Sequence, residues 1–192
     1  MGDHHDHQHT ISTKKMLNKA FIIGIVLNSL FVIVEFIVGL SANSLSLLSD
    51  AGHNLSDVVS LVLALLAFRL SNIKHFQNYT YGLQKSTILI ALANAVILIF
   101  VVGGIVWEAI ERIGNPVHTE GNVIAIVAFI GLIINAVTAF FFFREKENDL
   151  NVKGAYLHMA SDALVSLAVC IGGIVIVFTN LFWIDSLLSI VV

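Results

Sequence analysis

Ser49-Asp50-Ala51-Gly52-His53-Asn54-Leu55-Ser56-Asp57 sets a histidine and, four residues later, an aspartate inside an apolar run from Leu45 to Leu70. His158-Met159-Ala160-Ser161-Asp162 repeats the arrangement, with serine again before the aspartate, inside a second run from Ala155 to Phe178. In a helix, positions i and i+4 share a face, so each phrase projects an imidazole and a carboxylate together. Ionisable groups within a membrane-length apolar segment are costly and mark candidate functional sites. Two such pairs supply two nitrogens and two oxygens, enough for a tetrahedral shell around Zn²⁺. His53, Asp57, His158 and Asp162 are therefore the candidate metal ligands.

Composition agrees with a membrane setting. The chain of 192 residues is 57% hydrophobic and 12% charged, with a mean hydropathy of +0.91. A soluble domain averages about 25% charged residues. A single proline and apolar runs of membrane-spanning length favour helices crossing about 30 Å of hydrocarbon over the short alternating segments of a β-barrel. The formal charge of −3 comes without a long basic tract, which argues against a nucleic-acid partner. The lone Cys170 rules out an intrachain disulfide and a zinc ribbon, and reads as a packing residue.

Taken in order, residues 1–15 form a polar tail in which His4, His5, His7 and His9 alternate with Asp3 and Asp6. It lacks the pattern of a signal peptide. It reads as a solvated, disordered tail or a tag, or alternatively as a weak metal-gathering arm. Residues 16–192 then form one transmembrane domain. Its apolar runs cover about Leu17–Leu40, Leu45–Leu70, Thr87–Trp107, Asn122–Phe143 and Ala155–Phe178, and a sixth begins near Leu181 after a turn at Asn180. The sixth spans about 18 Å as a helix, little over half the hydrocarbon, so it reads as a truncated span. The expected fold is an all-α bundle of six transmembrane helices.

Lysine and arginine placement gives an orientation. Lys14, Lys15, Lys19, Arg69, Lys74, Lys85, Arg144, Lys146 and Lys153 fall on one side, and only Arg112 on the other. This predicts a cytoplasmic N-terminus in a multi-pass protein, for which a bacterial-type plasma membrane is the expected location. The two histidine–aspartate pairs then meet near the midplane on oppositely directed helices, an arrangement that hints at an inverted repeat.

The other buried-run polar residues each carry two readings. Asp50 shares the face of His53 and Asp57, and is either an access residue beside the ligands or a helix-start residue. Glu35 reads as interfacial, with a role beside the ion route as the alternative. Asn28, Asn94 and Asn135 read as hydrogen-bonding groups between helices, with lining the ion route as the alternative. With Asp50 and Glu35, Asn28 is a candidate beside the ligands or on their access path. Asp185 is expected near the outer interface, and His75 and His118 in connections.

The stretch from Ser44 to Asp57 resembles the second-helix signature of the cation diffusion facilitator family, and His158 with Asp162 resembles that family's fifth-helix pair. Asn28 with Glu35, Tyr81-Gly82, and Glu108-Ala109-Ile110-Glu111-Arg112 extend the likeness from about Met16 onward. The resemblance implies a six-helix domain, commonly homodimeric in the lipid bilayer. It also implies export of Zn²⁺ or a similar divalent metal in exchange for protons, with the metal as substrate and no prosthetic group. Such proteins typically continue into a cytoplasmic metal-sensing domain, which is absent from this chain. Two other classes compete: an intramembrane metalloenzyme, and a metal-stapled structural or sensor protein. A shell of two histidines and two aspartates leaves no open position for a catalytic water, so transport is the leading expectation.

Overall fold

The computed structural model describes residues 26–71, 80–143 and 150–192, and all regular structure among them is helical. The polar tail, His75 and most of the basic residues used for orientation lie outside the described residues. The helices are α1 (Val26–Ser41), α2 (Leu45–Ser71), α3 (Thr80–Gly114), α4 (Gly121–Phe143), α5 (Leu150–Thr179) and α6 (Trp183–Val191). The start of α2 and both ends of α4 fall within one residue of their expected limits. By contrast, α3 runs past Trp107 through the stretch expected to be connection, because Glu108 and Arg112 pair at helical spacing, 2.9 Å apart. Likewise, α5 begins at Leu150, five residues before the apolar run.

Among the described residues, three helical stretches, Leu92–Gly114, Gly121–Phe143 and Val152–Thr179, are long and apolar enough to cross a membrane. The distribution of side chains is inverted relative to a soluble domain. Asn28, Glu35, Asp50, Asn54, Asn135, Asp162, Ser166 and Asp185 are buried, while Phe100, Trp107, Phe140 and Phe178 are exposed. Hydrocarbon solvates such an exterior, and helices satisfy their own backbone groups within it. The chain is thus an integral membrane helical bundle.

Helices α4 and α5 pack most extensively. Glycines permit this: a Cβ on Gly173 would lie 2.6 Å from the Ala125 backbone nitrogen, and one on Gly121 2.7 Å from the Gly173 carbonyl oxygen. Small residues at such crossings let helix backbones approach closely in a membrane. Phe31, Leu47, Ile124, Val127, Ala128, Val169, Cys170 and Ile176 form the apolar core around this pair, with Cys170 in the packing role expected of it. The α2 helix packs on α3 and α6, and meets α5 over only a short stretch. That short stretch holds the candidate ligands.

The turn from α1 to α2 is tightly specified. Asn43 takes a left-handed conformation (φ 53°), and the backbone N–H groups of Asn43 and Ser44 return to Leu40 and Gly39. This is the double hydrogen bond of a Schellman helix end. Arg112 on α3 clamps the turn by donating to the Asn43 carbonyl (2.9 Å) and side-chain oxygen (3.0 Å). The four N–H groups that open α2 are all satisfied. Leu45 and Ser46 donate to Asp185, Leu47 to the Ser44 hydroxyl, and Leu48 to the Ser44 carbonyl. Asp185, expected near the outer interface, lies at the α1–α2 turn and is 1% exposed. Its carboxylate is the distant cap of α2, supplied by α6, and also accepts the hydroxyls of Ser44 and Ser46. An anion at a helix N-terminus meets both free donors and the positive end of the helix dipole, which offsets its burial.

Candidate metal centre

On α2, positions 50, 53, 54 and 57 follow the i, i+3, i+4, i+7 pattern of one helix face. His53 and Asp57 form one column of it, and Asp50 and Asn54 the other. The first column turns to α5. His53 Nε2 lies 3.6 Å from Asp57 Oδ2 and 3.7 Å from Asp162 Oδ1. His158 Nε2 lies 3.1 Å from Asp57 Oδ2 and 3.7 Å from Asp162 Oδ2. His53 and His158 are thus each near both aspartates. A tetrahedral zinc site with ligand bonds of about 2.0–2.1 Å has ligand-to-ligand edges of about 3.3 Å, so the four nitrogen–oxygen spacings bracket the size such an ion requires.

The set is not symmetric. Ligand atoms of His53, Asp57 and Asp162 all lie within 4.8 Å of one another. His158 stands off from His53, with ring centroids 6.3 Å apart, and joins through the carboxylates. Closing all four donors on one ion draws the two imidazoles together. Asp57 Oδ2 and Asp162 Oδ2 are enclosed and have no well-aligned donor, the imidazole nitrogens alone standing 3.1–3.7 Å away. Enclosed carboxylate oxygens without donors are costly unless a cation completes them, which suits the donor set to a divalent metal. The imidazoles are 44% and 39% exposed, whereas the Asp57 and Asp162 side chains are 18% and 4% exposed. The carboxylates therefore form a floor and the imidazoles an open mouth, rather than a sealed interior site.

The other polar residues fall partly as expected and partly not. Glu35, read as interfacial, is 0% exposed and faces Asp50 and Asn54 across the α1–α2 contact. Asp50 is not at the helix start; the first turn belongs to Asp185. Asn94 reaches Ser56 of α2 at 3.5 Å, a long contact between helices of the expected kind. Asn135, by contrast, is buried with neither side-chain polar atom partnered, and Asn28 has an enclosed Oδ1 with no partner. His118 stacks obliquely on Phe182 at 4.7 Å. Sequence reasoning passed over Asn54, Ser44, Ser46 and Ser166. Only Asn54 left a signal, since its spacing from Asp50 repeats that of Asp57 from His53.

An integral membrane bundle that gathers nitrogen and oxygen donors between its apolar helices is the class this geometry defines. The chain belongs to the cation diffusion facilitator family, and residues 21–192 match its cation efflux transmembrane domain. It is 39% identical over 188 residues to the cadmium, cobalt and zinc/H(+)-K(+) antiporter of Bacillus subtilis, covering 97% of this chain and 60% of that protein. It is 40% identical over 191 residues to the zinc transporter ZitB of Pectobacterium atrosepticum, covering 98% and 58%. Against the metal cation efflux system protein CzcD of Cupriavidus metallidurans the identity is 36% over 192 residues, covering 100% and 60%. The chain spans about three-fifths of the length of these relatives.

Proposed function

We propose that this chain is the transmembrane part of a secondary transporter that exports Zn²⁺, or a similar divalent metal, in exchange for protons. The observation that carries the reading is the convergence of His53, Asp57, His158 and Asp162 from α2 and α5, with spacings near the edges of a tetrahedral site. The names of the three relatives, all of them metal transporters and one an antiporter with protons and potassium, support the same reading. In it, the chain supplies a six-helix transmembrane bundle whose sixth span is begun by α6, the N-terminus is cytoplasmic, and a second copy of the chain completes a homodimer.

The chemistry follows from the donor set. Zinc binds neutral imidazole and ionised carboxylate, so its arrival expels the protons that the empty site carries. Protons from the more acidic side compete for the same four groups and release the metal there. With the metal gone, two adjacent carboxylates in a low-dielectric site repel one another, and protonation removes that repulsion. An inward proton gradient is then the natural driving force for export. The open mouth formed by the imidazoles favours an ion that comes and goes over one that staples the fold. The test is Zn²⁺ flux in sealed vesicles with an imposed pH difference, following internal pH at the same time. Flux that rises with the gradient and moves protons the opposite way is expected; flux indifferent to the gradient would remove antiport.

A further inference from the structure

Glu35 on α1 and Asp50 on α2 are 0% and 2% exposed, and Asn54, one turn along α2, is 1% exposed. The Asn54 amide joins the two acids: its Nδ2 lies 3.5 Å from Glu35 Oε2 and 3.3 Å from Asp50 Oδ1. Glu35 Oε1, Asp50 Oδ2 and Asn54 Oδ1 are all enclosed without a hydrogen-bond partner. The cluster therefore holds three unmet acceptors and one shared donor. Among the described residues neither acid pairs with a lysine or arginine; Arg112 on α3 is engaged with Glu108 and Asn43.

Two adjacent carboxylates enclosed in this way are strongly disfavoured if left bare. Something must bring positive charge and a donor. A metal or alkali cation between the acids would draw the Asn54 carbonyl inward, whereas Asn54 turns its N–H toward both of them. A proton supplies what is missing, because one carboxyl O–H can donate to the free oxygen of the other acid while the buried charge falls from two to one.

We propose that Glu35 and Asp50 form a second ion station, a carboxyl pair that binds one proton and feeds it to the metal centre. Asp50 precedes His53 by three residues, about 4.5 Å along the helix axis, so the pair sits directly beside the ligands on the side of α2 that begins at Leu45. Among the described residues, the charged groups close enough to act on Asp50 are His53 and Asp57 on α2, Asp162 on α5 and Glu35 itself. Asp185 on α6 is committed to the first turn of α2. Release of the proton toward the neighbouring metal centre returns the pair to its anionic form, ready for the next proton. The role as a relay rests on the transport reading above; the existence of the proton does not.

Infrared difference spectroscopy on the metal-free protein in lipid at neutral pH tests the station directly. A protonated-carboxyl carbonyl band that shifts in heavy water is expected. It should be lost in Glu35→Gln and Asp50→Asn, kept in Glu35→Asp, and kept in an Asp57→Asn/Asp162→Asn double variant. In vesicles, Glu35→Gln should lose at least about tenfold of its pH-driven Zn²⁺ flux while equilibrium dialysis still finds Zn²⁺ bound. Absence of the band from the wild type, or full proton coupling in Glu35→Gln, overturns the proposal. So does a thermal midpoint raised by potassium or sodium in the wild type but not in Glu35→Gln, which would make the pair a cation site. Wild-type flux in the double variant would instead sink the assignment of the metal ligands and leave the band's outcome standing on its own.

Discussion

Replacing Asp185 should loosen the start of α2 by an amount the contacts set in advance. Its Oδ2 accepts from the Leu45 N–H at 2.7 Å, and its Oδ1 from the Ser46 N–H at 3.2 Å and the Ser44 hydroxyl at 2.7 Å. In Asp185→Asn, one oxygen can keep the Oδ1 partners, but an NH₂ group then opposes the Leu45 N–H. One charge-assisted bond is lost and the others weaken, for about 2–3 kcal/mol. In Asp185→Ala the two backbone donors are orphaned at about 1–3 kcal/mol each. The serine hydroxyls, already 3.1 Å apart, can still pair with each other. A small cavity adds to this, so the alanine variant should lose about 3–5 kcal/mol. Reversible unfolding in mixed micelles, titrated with denaturing detergent, measures both values. Asp185→Ala should exceed Asp185→Asn, and adding Ser46→Ala should cost less in either background than in the wild type. Variants that both unfold within about 0.5 kcal/mol of the wild type would refute the capping argument.

Gly173→Ala should cost about 1–3 kcal/mol by forcing α4 and α5 apart, since its Cβ would meet backbone at 2.6 Å; Gly104→Ala, with nothing within 4 Å, is the near-neutral control in the same unfolding assay. His53→Asp replaces a nitrogen donor by oxygen and should relax selectivity toward Cd²⁺ or Mn²⁺, read as a changed ranking in metal-competition flux. Zn²⁺ affinity at equilibrium should fall as pH drops, by about tenfold per unit for each proton displaced; calorimetry at several pH values that finds no change would contradict binding through imidazole and carboxylate.

Much of this arrangement was readable in the chain because spacing carries it. The four-residue interval between His53 and Asp57, and between His158 and Asp162, survives folding unchanged, since helix geometry alone puts each pair on one face. Apolar run length marked α2 and α4 equally well. What spacing could not carry is which distant residue meets which. Asp185 and Ser44 are separated by 141 positions, and nothing local says that a carboxylate near one helix start will cap another. Glu35 looked interfacial because an acid close to a helix end can ordinarily reach water; here α2 covers it, and Asn54 shares its charge with Asp50. The end of α3 was missed because the pattern of polarity changed at Glu108 while the helical pairing of Glu108 with Arg112 continued.

The central claim is that His53, Asp57, His158 and Asp162 bind the moving ion as one unit. Zn²⁺ flux by Asp57→Asn and Asp162→Asn in vesicles tests it most directly, because asparagine preserves the shape and removes only the charge. With circular dichroism showing an intact helical bundle, each variant should lose about 100-fold or more of the flux. Flux at the wild-type rate in either variant would contradict the assignment.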